Sequence, residues 1–133
     1  MQFVAGEVAG EVVGIGTDII EIERFQRNGK PPGERFMFRC FAESEREYLK
    51  CRPLETMAGF FAAKEAVAKA LGTGFVGFWP SAIEIVHNRA GKPEVILHGG
   101  AKGIAEAAGI AVLIVSISHC RTLAVAMAIA QKS

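Results

Sequence analysis

Residues 60–74 read Phe-Phe-Ala-Ala-Lys-Glu-Ala-Val-Ala-Lys-Ala-Leu-Gly-Thr-Gly, and this stretch decides the fold. Its larger apolar residues and two of its alanines recur at helical spacing; they are Phe60, Ala63, Val67, Ala70 and Leu71. The pattern predicts an amphipathic helix that ends at Gly72. Phe61, Glu65 and Lys69 then lie four residues apart along one edge. The Glu65–Lys69 pair is compatible with a solvated ion pair or with half of a site.

The size and composition of the chain predict one globular domain. A length of 133 residues, half of them hydrophobic and 22% charged, supports a packed core, and residues 1–11 are an N-terminal extension with no clear pattern. The net charge of +1 argues against a nucleic-acid binder. The small size for an enzyme suggests oligomerisation.

The cysteines and the apolar runs indicate the compartment. Cys40, Cys51 and Cys120 are odd in number and lack metal-ligand spacing, which suits a reducing cytosol. The N-terminus has no basic region of a signal peptide, and no apolar run approaches the length of a membrane span. We therefore predict a cytoplasmic protein with no membrane association.

Residues 12–20 predict a strand with one apolar face and one glycine face. Alternation puts Val13, Ile15 and Ile19 on the first and Gly14, Gly16 and Asp18 on the second, so that another element can approach closely. Asp18 needs a partner there, since a buried carboxylate without one is costly. It is either the cap of a following helix at 19–25 or a metal ligand.

The next stretch carries a local excess of positive charge. Its arginines are Arg24, Arg27, Arg35 and Arg39. They form either a solvated surface or a docking site for an acidic macromolecule. Residues 29–33 must be a loop, residues 35–41 favour a helix, and Ser44 to Glu47 match a capping box that begins another.

The remaining chain completes an α+β fold. Residues 83–87 and 94–98 predict a hairpin, 101–108 a short helix, and 112–118 and 123–130 two more strands. Alanines alternate along the last strand and predict a face that packs on a helix. The fold class is therefore α+β, a mainly antiparallel sheet packed against a long central helix.

These pieces suggest a magnesium site. If the central helix packs on the glycine face, Asp18 and Glu65 converge, and Mg²⁺ accepts two carboxylates together with water and phosphate oxygens. Lys69 then reaches the same phosphates. Gly72-Thr73-Gly74 offers backbone amides nearby, although an ordinary helix stop has the same sequence. No Walker A loop or dinucleotide fingerprint is present.

Four motifs together resemble a known family. They are Gly14 to Ile19, Phe61 to Gly74, Gly91-Lys92-Pro93 and Ser116 to His119. In order and spacing they are similar to holo-(acyl-carrier-protein) synthase, the short 4′-phosphopantetheinyl transferases, and the likeness covers residues 12–130. The resemblance implies transfer of 4′-phosphopantetheine from coenzyme A to a serine of apo acyl carrier protein, in support of fatty acid biosynthesis.

The resemblance also implies roles for individual residues. Asp18 and Glu65 would bind Mg²⁺, Lys69 the transferred phosphate, and Glu65, or a water held by the metal, would be the base. Coenzyme A would be bound by Lys69, Gly72 and Thr73, and from a neighbouring subunit of a homotrimer by Gly91, Lys92, Pro93, Ser118 and His119. The arginines Arg24, Arg27, Arg35 and Arg39 would meet the carrier protein.

One departure and two competing functions accompany this resemblance. Many members have an arginine where this chain has Phe60, so a phosphate contact is lost or moved there. The main alternative to the transferase is a non-catalytic module that binds coenzyme A or a carrier protein. A diphosphate hydrolase is disfavoured because further clustered carboxylates are missing.

Overall fold

The computed structural model describes residues 10–26 and 28–133. In chain order, the elements are β1 (Val12–Glu21), a 3₁₀ turn (Ile22–Phe25), α1 (Glu34–Cys40), α2 (Glu43–Leu49), α3 (Leu54–Ala70), a 3₁₀ turn (Pro80–Ala82), β2 (Ile83–His87), β3 (Pro93–Leu97), α4 (Gly99–Ala107), β4 (Ile110–His119) and β5 (Leu123–Lys132). The α+β prediction is confirmed. Of the N-terminal extension, residues 1–9 lie outside the described part, as does Arg27.

The strands form two antiparallel sheets. One has the order β1-β5-β4, and the other is the β2–β3 hairpin. In the first, Asp18 lies opposite Ala126, which lies opposite Ile117 on the far side of β5. The predicted hairpin is confirmed, with His87 opposite Pro93 at its closed end.

Helix α3 lies on the larger sheet along a seam of glycine and alanine. A Cβ atom added to Gly14 would lie 1.9 Å from the Ala70 carbonyl oxygen, and one added to Gly16 would lie 1.9 Å from that of Ala66. Beside them, the predicted alanine face of β5 is buried; it comprises Ala124, Ala126, Ala128 and Ala130. The absence of side chains in this seam lets the helix backbone touch the strand backbone.

The central helix differs from its prediction in two respects. It begins at Leu54, directly after Pro53, and it is buried around most of its circumference, so that it is not amphipathic. The larger sheet covers one side, and β2 together with Glu45 and Tyr48 of α2 covers the other. As predicted, Gly72 stops the helix: α3 ends at Ala70, Leu71 is its C-cap, and Gly72 follows with a φ of 88° that suits glycine.

Lys64 is the unexpected member of the buried set. Its side chain is 0% exposed, and Nζ donates to Glu45 Oε1 at 2.7 Å, to the Pro80 carbonyl at 3.3 Å and to the Ile83 carbonyl. Burial lowers the pKa of Lys64, whereas Glu45 opposes this decrease. The ammonium therefore ties α3 to α2 and to the hairpin.

Two local predictions are wrong. Helix α2 begins after Ala42, whose N–H donates to Glu45 Oε1 at 2.8 Å, while the predicted cap Ser44 donates its hydroxyl to Glu84. Asp18 caps no helix, because β1 continues to Glu21 and only a 3₁₀ turn follows. Glu45 and Glu47 were both available for the hydrogen bond back to the helix start, and the buried Glu45 makes it.

The face of the large sheet that points away from α3 is apolar and exposed. Its side chains include Ile15, Ile19, Ile114, Val125 and Met127.

Among the described residues, no helix has both the length and the apolar character that a membrane crossing requires.

Candidate active site

Asp18 and Glu65 line one open cavity of about 540 Å³. Asp18 projects from the glycine face of β1, and Glu65 projects from the edge of α3 that packs on it. Arg24, Phe36 and Phe61 also line this cavity. The structure thus brings together the two carboxylates that are 47 positions apart in the chain, counting from 18 to 65.

Lys69 contacts Asp18 and not Glu65. Its Nζ lies 3.2 Å from Asp18 Oδ1 and donates to the Thr17 carbonyl at 2.8 Å. The lysine side chain is about half exposed, at 51%, while the Asp18 side chain is 18% exposed. Of the two alternatives for the Glu65–Lys69 pair, the surface ion pair is therefore wrong, and the half-exposed ammonium lies against Asp18 instead.

The environment of Glu65 favours its protonated form. Burial raises the pKa of the Glu65 carboxyl, and the negative charge of Asp18 raises it further. Lys69 and Arg24 oppose the increase in pKa. At Glu65, burial together with the charge of Asp18 therefore outweighs the two nearby cations.

Asp18 and Glu65 fit a divalent cation whose other ligands are oxygens of water or of a substrate. Within residues 10–26 and 28–133, no three His, Cys, Asp or Glu side chains come together as a complete metal site. Two carboxylates suit Mg²⁺, which is commonly bound by one or two carboxylates plus water and substrate phosphates. A bound cation would offset the negative charge of Asp18, which together with burial raises the pKa of Glu65.

The C-terminal end of α3 places Gly72 and Thr73 next to Lys69. The Gly72 N–H donates to the Lys69 carbonyl at 3.0 Å, and the Thr73 hydroxyl donates to the Gly74 carbonyl at 3.0 Å. Both residues are exposed. In the chain alone these contacts form a helix stop.

The other predicted coenzyme A residues lie away from this cavity. Gly91, Lys92 and Pro93 form the turn between β2 and β3, which the Asn88 side chain organises by accepting from the Ala90 and Lys92 N–H groups. None of them lines the cavity of Asp18 and Glu65.

Ser118 and His119 also lie outside the lining of the cavity of Asp18 and Glu65. Ser118 lies opposite Val125, which lies opposite Ile19, so Ser118 is on the exposed apolar face and not on the α3 face. His119 follows at the end of β4, opposite Ala124 and so on the α3 face, but it does not line the cavity. One chain therefore does not bring these two residues to its own Asp18 and Glu65.

The predicted arginines occupy two different surfaces. Arg24 lies in the 3₁₀ turn after β1 and lines the cavity with Asp18 and Glu65. Arg35 and Arg39 lie on α1 and border a second cavity, where the Arg39 guanidinium is 4.8 Å from the ring centroid of Trp79.

Phe60 takes part in an aromatic stack. It is 3% exposed, and its ring lies 5.6 Å from the rings of Tyr48 and His87. The Arg52 guanidinium lies 4.1 Å from the Tyr48 ring centroid. A phosphate contact by residue 60 is thus lost in this chain, because the position is filled by a buried phenyl ring.

Comparisons with known proteins can now be set beside this geometry. The family model described as the 4′-phosphopantetheinyl transferase superfamily matches residues 14–127. The chain belongs to this superfamily. The matched range contains all but the first two residues of β1, the whole of α3 and both acids of the cavity.

Individual members of the superfamily agree over most of their length. The holo-(acyl-carrier-protein) synthase of Caldanaerobacter subterraneus subsp. tengcongensis is 50% identical over 87% of this chain and 92% of its own. The crystal structure of the synthase from Neisseria meningitidis has a TM-score of 0.81 at 36% identity and covers 92% of this chain and 100% of that one. The synthase from Bacillus anthracis str. Ames, solved in complex with CoA (3′,5′-ADP), has a TM-score of 0.74 at 35% identity, covering 92% and 98%.

Sequence reasoning missed two features of the site. Phe36 forms part of the cavity wall, where its ring stacks on Phe61 with centroids 6.1 Å apart. Lys64 holds the helix that carries Glu65. A signal for Lys64 was present, because it follows Phe60 by four residues and so belongs to the buried stripe.

Proposed function

We propose that this protein transfers 4′-phosphopantetheine from coenzyme A to a serine of apo acyl carrier protein and releases adenosine 3′,5′-bisphosphate. The observation that carries the proposal is the shared cavity of Asp18 and Glu65, with Lys69 paired to Asp18. Membership of the transferase superfamily and the coenzyme A complex of the Bacillus relative support it.

Asp18 and Glu65 are the residues that would hold Mg²⁺ in this cavity, together with the diphosphate oxygens of coenzyme A. When bound, the cation supplies charge neutralisation and orientation of the phosphoryl group, which are the main needs of phosphoryl transfer. Lys69 is already adjacent to Asp18. By exchanging this carboxylate for a phosphate oxygen, its ammonium stabilises the negative charge on the transferred group.

Glu65 is also the candidate base for the serine hydroxyl. Its carboxylate lines the cavity in which the transferred phosphate would lie, which is where a base for the incoming hydroxyl is needed. In the reaction, the serine Oγ forms a bond to phosphorus and gives up its proton, while the bond from phosphorus to the bridging diphosphate oxygen breaks. The electron pair leaves with adenosine 3′,5′-bisphosphate.

The nucleotide end of coenzyme A needs a second copy of the chain. Gly72 and Thr73 lie beside Lys69, but Gly91, Lys92, Pro93, Ser118 and His119 lie elsewhere, with Ser118 on the exposed apolar face. Contiguous exposed apolar surface marks interaction sites, and closed homo-oligomers bury it symmetrically. We therefore propose a homotrimer in which these residues complete the neighbour's site.

Carrier recognition is assigned to the arginines. Arg24 lies in the cavity wall, and Arg35 and Arg39 lie on α1, so an acidic carrier bound across them would present its serine to Glu65. The predicted role of Arg27 lies outside the described residues.

The setting we propose is the cytoplasm, where holo carrier protein serves fatty acid biosynthesis. The free thiols of Cys40, Cys51 and Cys120 suit a reducing compartment. We treat residues 1–133 as one transferase domain, of which residues 1–11 are an extension.

The test is a carrier modification assay. Apo acyl carrier protein, coenzyme A and Mg²⁺ are incubated with the protein, and intact mass spectrometry should show one added phosphopantetheine per carrier. Glu65→Gln and Asp18→Asn should each lower kcat/KM at least a hundredfold, whereas the matched control Glu106→Gln on exposed α4 should not. Tight coenzyme A binding without any mass gain would instead identify a non-catalytic binding module.

The trimer has its own test. Ile15→Glu places a charge on the apolar face, at a side chain that is 65% exposed in the chain alone. Sedimentation should show trimers for the unmodified protein and monomers for the variant, with loss of coenzyme A binding. A monomeric protein with full activity would contradict the shared site.

A further inference from the structure

Two arginines on the surface around α1 lie over exposed aromatic rings. The Arg39 guanidinium is 4.8 Å from the ring centroid of Trp79, and the Arg46 guanidinium is 5.1 Å from that of Phe38. Trp79 is 59% exposed and Phe38 is 69% exposed, so most of their apolar surface is not buried by the chain itself. Tryptophan, phenylalanine and arginine are the residue types enriched at protein interfaces. The composition of this surface therefore indicates an interaction site.

The two arginine and ring pairs belong to one basic surface beside the candidate active site. An open cavity of about 730 Å³ contains Phe38 in its wall, and its lining has four cations against one acid, Glu34. The cations are Arg35, Arg39, Arg46 and Lys50. Pro32 lines both this cavity and that of Asp18 and Glu65. The excess of positive charge favours an acidic partner, while the net charge of +1 for the whole chain disfavours a nucleic acid.

The guanidinium groups of this surface are restrained without being neutralised. Within the parts of the chain that the structure describes, none of Arg35, Arg39 and Arg46 forms an ion pair with a carboxylate. Arg46 donates instead to the Phe41 carbonyl at 2.6 Å, and this bond and the Phe38 ring together fix its side chain. Since a guanidinium has five N–H donors, most of them stay available to an incoming carboxylate.

We propose that Trp79 and Phe38 are positioning residues for carrier recognition, which hold Arg39 and Arg46 ready for carboxylates of the acidic carrier protein. The inference rests on the proposed function, and it adds Arg46 to the arginines that meet the carrier. Neither ring lines the cavity of Asp18 and Glu65, so the two rings act on carrier binding and not on the transfer step.

The ordering of the arginine side chains sets the size of the effect. A mobile arginine loses rotamer freedom when it binds a carboxylate, and immobilising one such side chain lowers affinity about two- to twelvefold. An arginine that already lies over an aromatic ring has lost part of this freedom before the carrier arrives. Removal of the ring should therefore weaken carrier binding by up to this factor, although the charge of the surface is unchanged.

The carrier modification assay tests the proposal when carrier concentration is varied at saturating coenzyme A and Mg²⁺. We expect Trp79→Leu and Phe38→Leu each to raise KM for the carrier about two- to twelvefold. The values of kcat and of KM for coenzyme A should stay within about twofold, which also shows that the variants fold. Trp79→Phe keeps an aromatic face and should recover most of the loss. An unchanged carrier KM in both leucine variants, or an equal increase in KM for coenzyme A, would overturn the proposal.

Val76→Ala is the matched control for Trp79→Leu. Val76 is an apolar residue of the same loop, is 67% exposed, and lines neither of the two cavities that contain Arg39. Its truncation should leave KM for the carrier unchanged. A KM raised as much by Val76→Ala as by Trp79→Leu would assign the effect to the loop in general and would contradict the role of the ring.

A double-mutant cycle separates positioning from direct contact with the carrier. Arg39→Gln should raise the carrier KM, and the addition of Trp79→Leu should then change it by less than about twofold, because no arginine is left for the ring to orient. Arg39→Gln should also reduce the dependence of carrier KM on salt, whereas Trp79→Leu should keep it, since only the first removes a charge. Additive effects of the two changes would show that Trp79 binds the carrier itself and would overturn the proposal.

The outcomes separate this inference from the proposed function. If the unmodified protein modifies the carrier and the two leucine variants keep its KM, only the positioning role is overturned. If the unmodified protein modifies no carrier, the transferase is overturned, and the positioning role falls with it because it requires a carrier. A short DNA duplex that competes with the carrier at equal concentration would assign the basic surface to a nucleic acid and would also overturn the inference.

Discussion

Gly16→Ala tests whether backbone contact between β1 and α3 sets the geometry of the site. The new Cβ atom would lie 1.9 Å from the Ala66 carbonyl oxygen and 2.8 Å from its carbon. An ordinary carbon–oxygen contact is about 3.3 Å, so the strand and the helix must separate by about 1.4 Å. The new Cβ atom is fixed to the strand backbone and the Ala66 oxygen belongs to the helix backbone, so no side-chain rotation can relieve the overlap.

The displacement acts directly on the two acids. Asp18 is two residues beyond Gly16 on the same face of β1, and Glu65 precedes Ala66 on α3. A misplacement of about 1 Å can lower a rate about a hundredfold, and overpacking costs about 1–3 kcal/mol. We therefore expect kcat/KM for carrier modification to fall about a hundredfold and the free energy of unfolding to fall by about 1–3 kcal/mol.

Gly103→Ala is the matched control for this variant. It adds the same methyl group in α4, where nothing lies within 4 Å of the new Cβ atom. We expect unchanged activity and a gain of about 0.5–1 kcal/mol, because alanine is the better helix former. The assays are the carrier modification rate and urea unfolding. A Gly16→Ala protein with full activity and full stability would refute the claim that this seam positions the acids.

Three further predictions concern titratable groups. Lys64→Met should lower the free energy of unfolding by about 3–5 kcal/mol in urea, because Glu45 is left buried without its partner; a second change to Glu45→Gln should recover part of the loss, and strictly additive effects would contradict the coupling. Glu65→Gln should raise the melting temperature at neutral pH although it removes activity, because a carboxyl whose pKa is raised by folding destabilises the folded protein as pH rises; the difference should vanish in acid below the unfolded pKa, and a lower melting temperature at pH 7 would contradict it. Iodoacetamide should modify Cys120 faster than Cys40 in peptide mass spectrometry, because hydrogen bonds from the Thr122 and Leu123 backbone lower the pKa of the exposed Cys120, whereas burial raises that of Cys40 to about 11; equal rates would contradict this order.

The sequence predicted those parts of the molecule that repeat a simple pattern. Alternation along β1 and β5 identified the glycine and alanine faces, and the spacing in α3 identified the edge with Glu65 and Lys69. From these two facts the convergence with Asp18 followed, since small residues on facing elements permit close packing.

The remaining features depended on tertiary contacts that a sequence pattern does not contain. Ser44 and Glu45 both fit a capping role, and only the proximity of Lys64 and the hairpin decides that Glu45 turns inward. The spacing from Phe60 puts Lys64 on the buried stripe, but its three acceptors come from distant parts of the chain and no local pattern identifies them. The partner of Lys69 was likewise missed, since Lys69 pairs with Asp18 on β1 and not with Glu65 on the preceding turn of its own helix.

The glycine and alanine seam has a consequence for how the gene can vary. The seam consists of glycine, the smallest residue, and alanine, which is one methyl larger; its members include Gly14, Gly16, Ala126 and Ala128. Almost every substitution there adds atoms where the helix and the strand leave no space. The branched residues of the opposite sheet face can shrink as well as grow. In a saturation library scored by growth, tolerance along β1 should therefore alternate with every second residue, and the intolerant half should be the one with the smallest side chains.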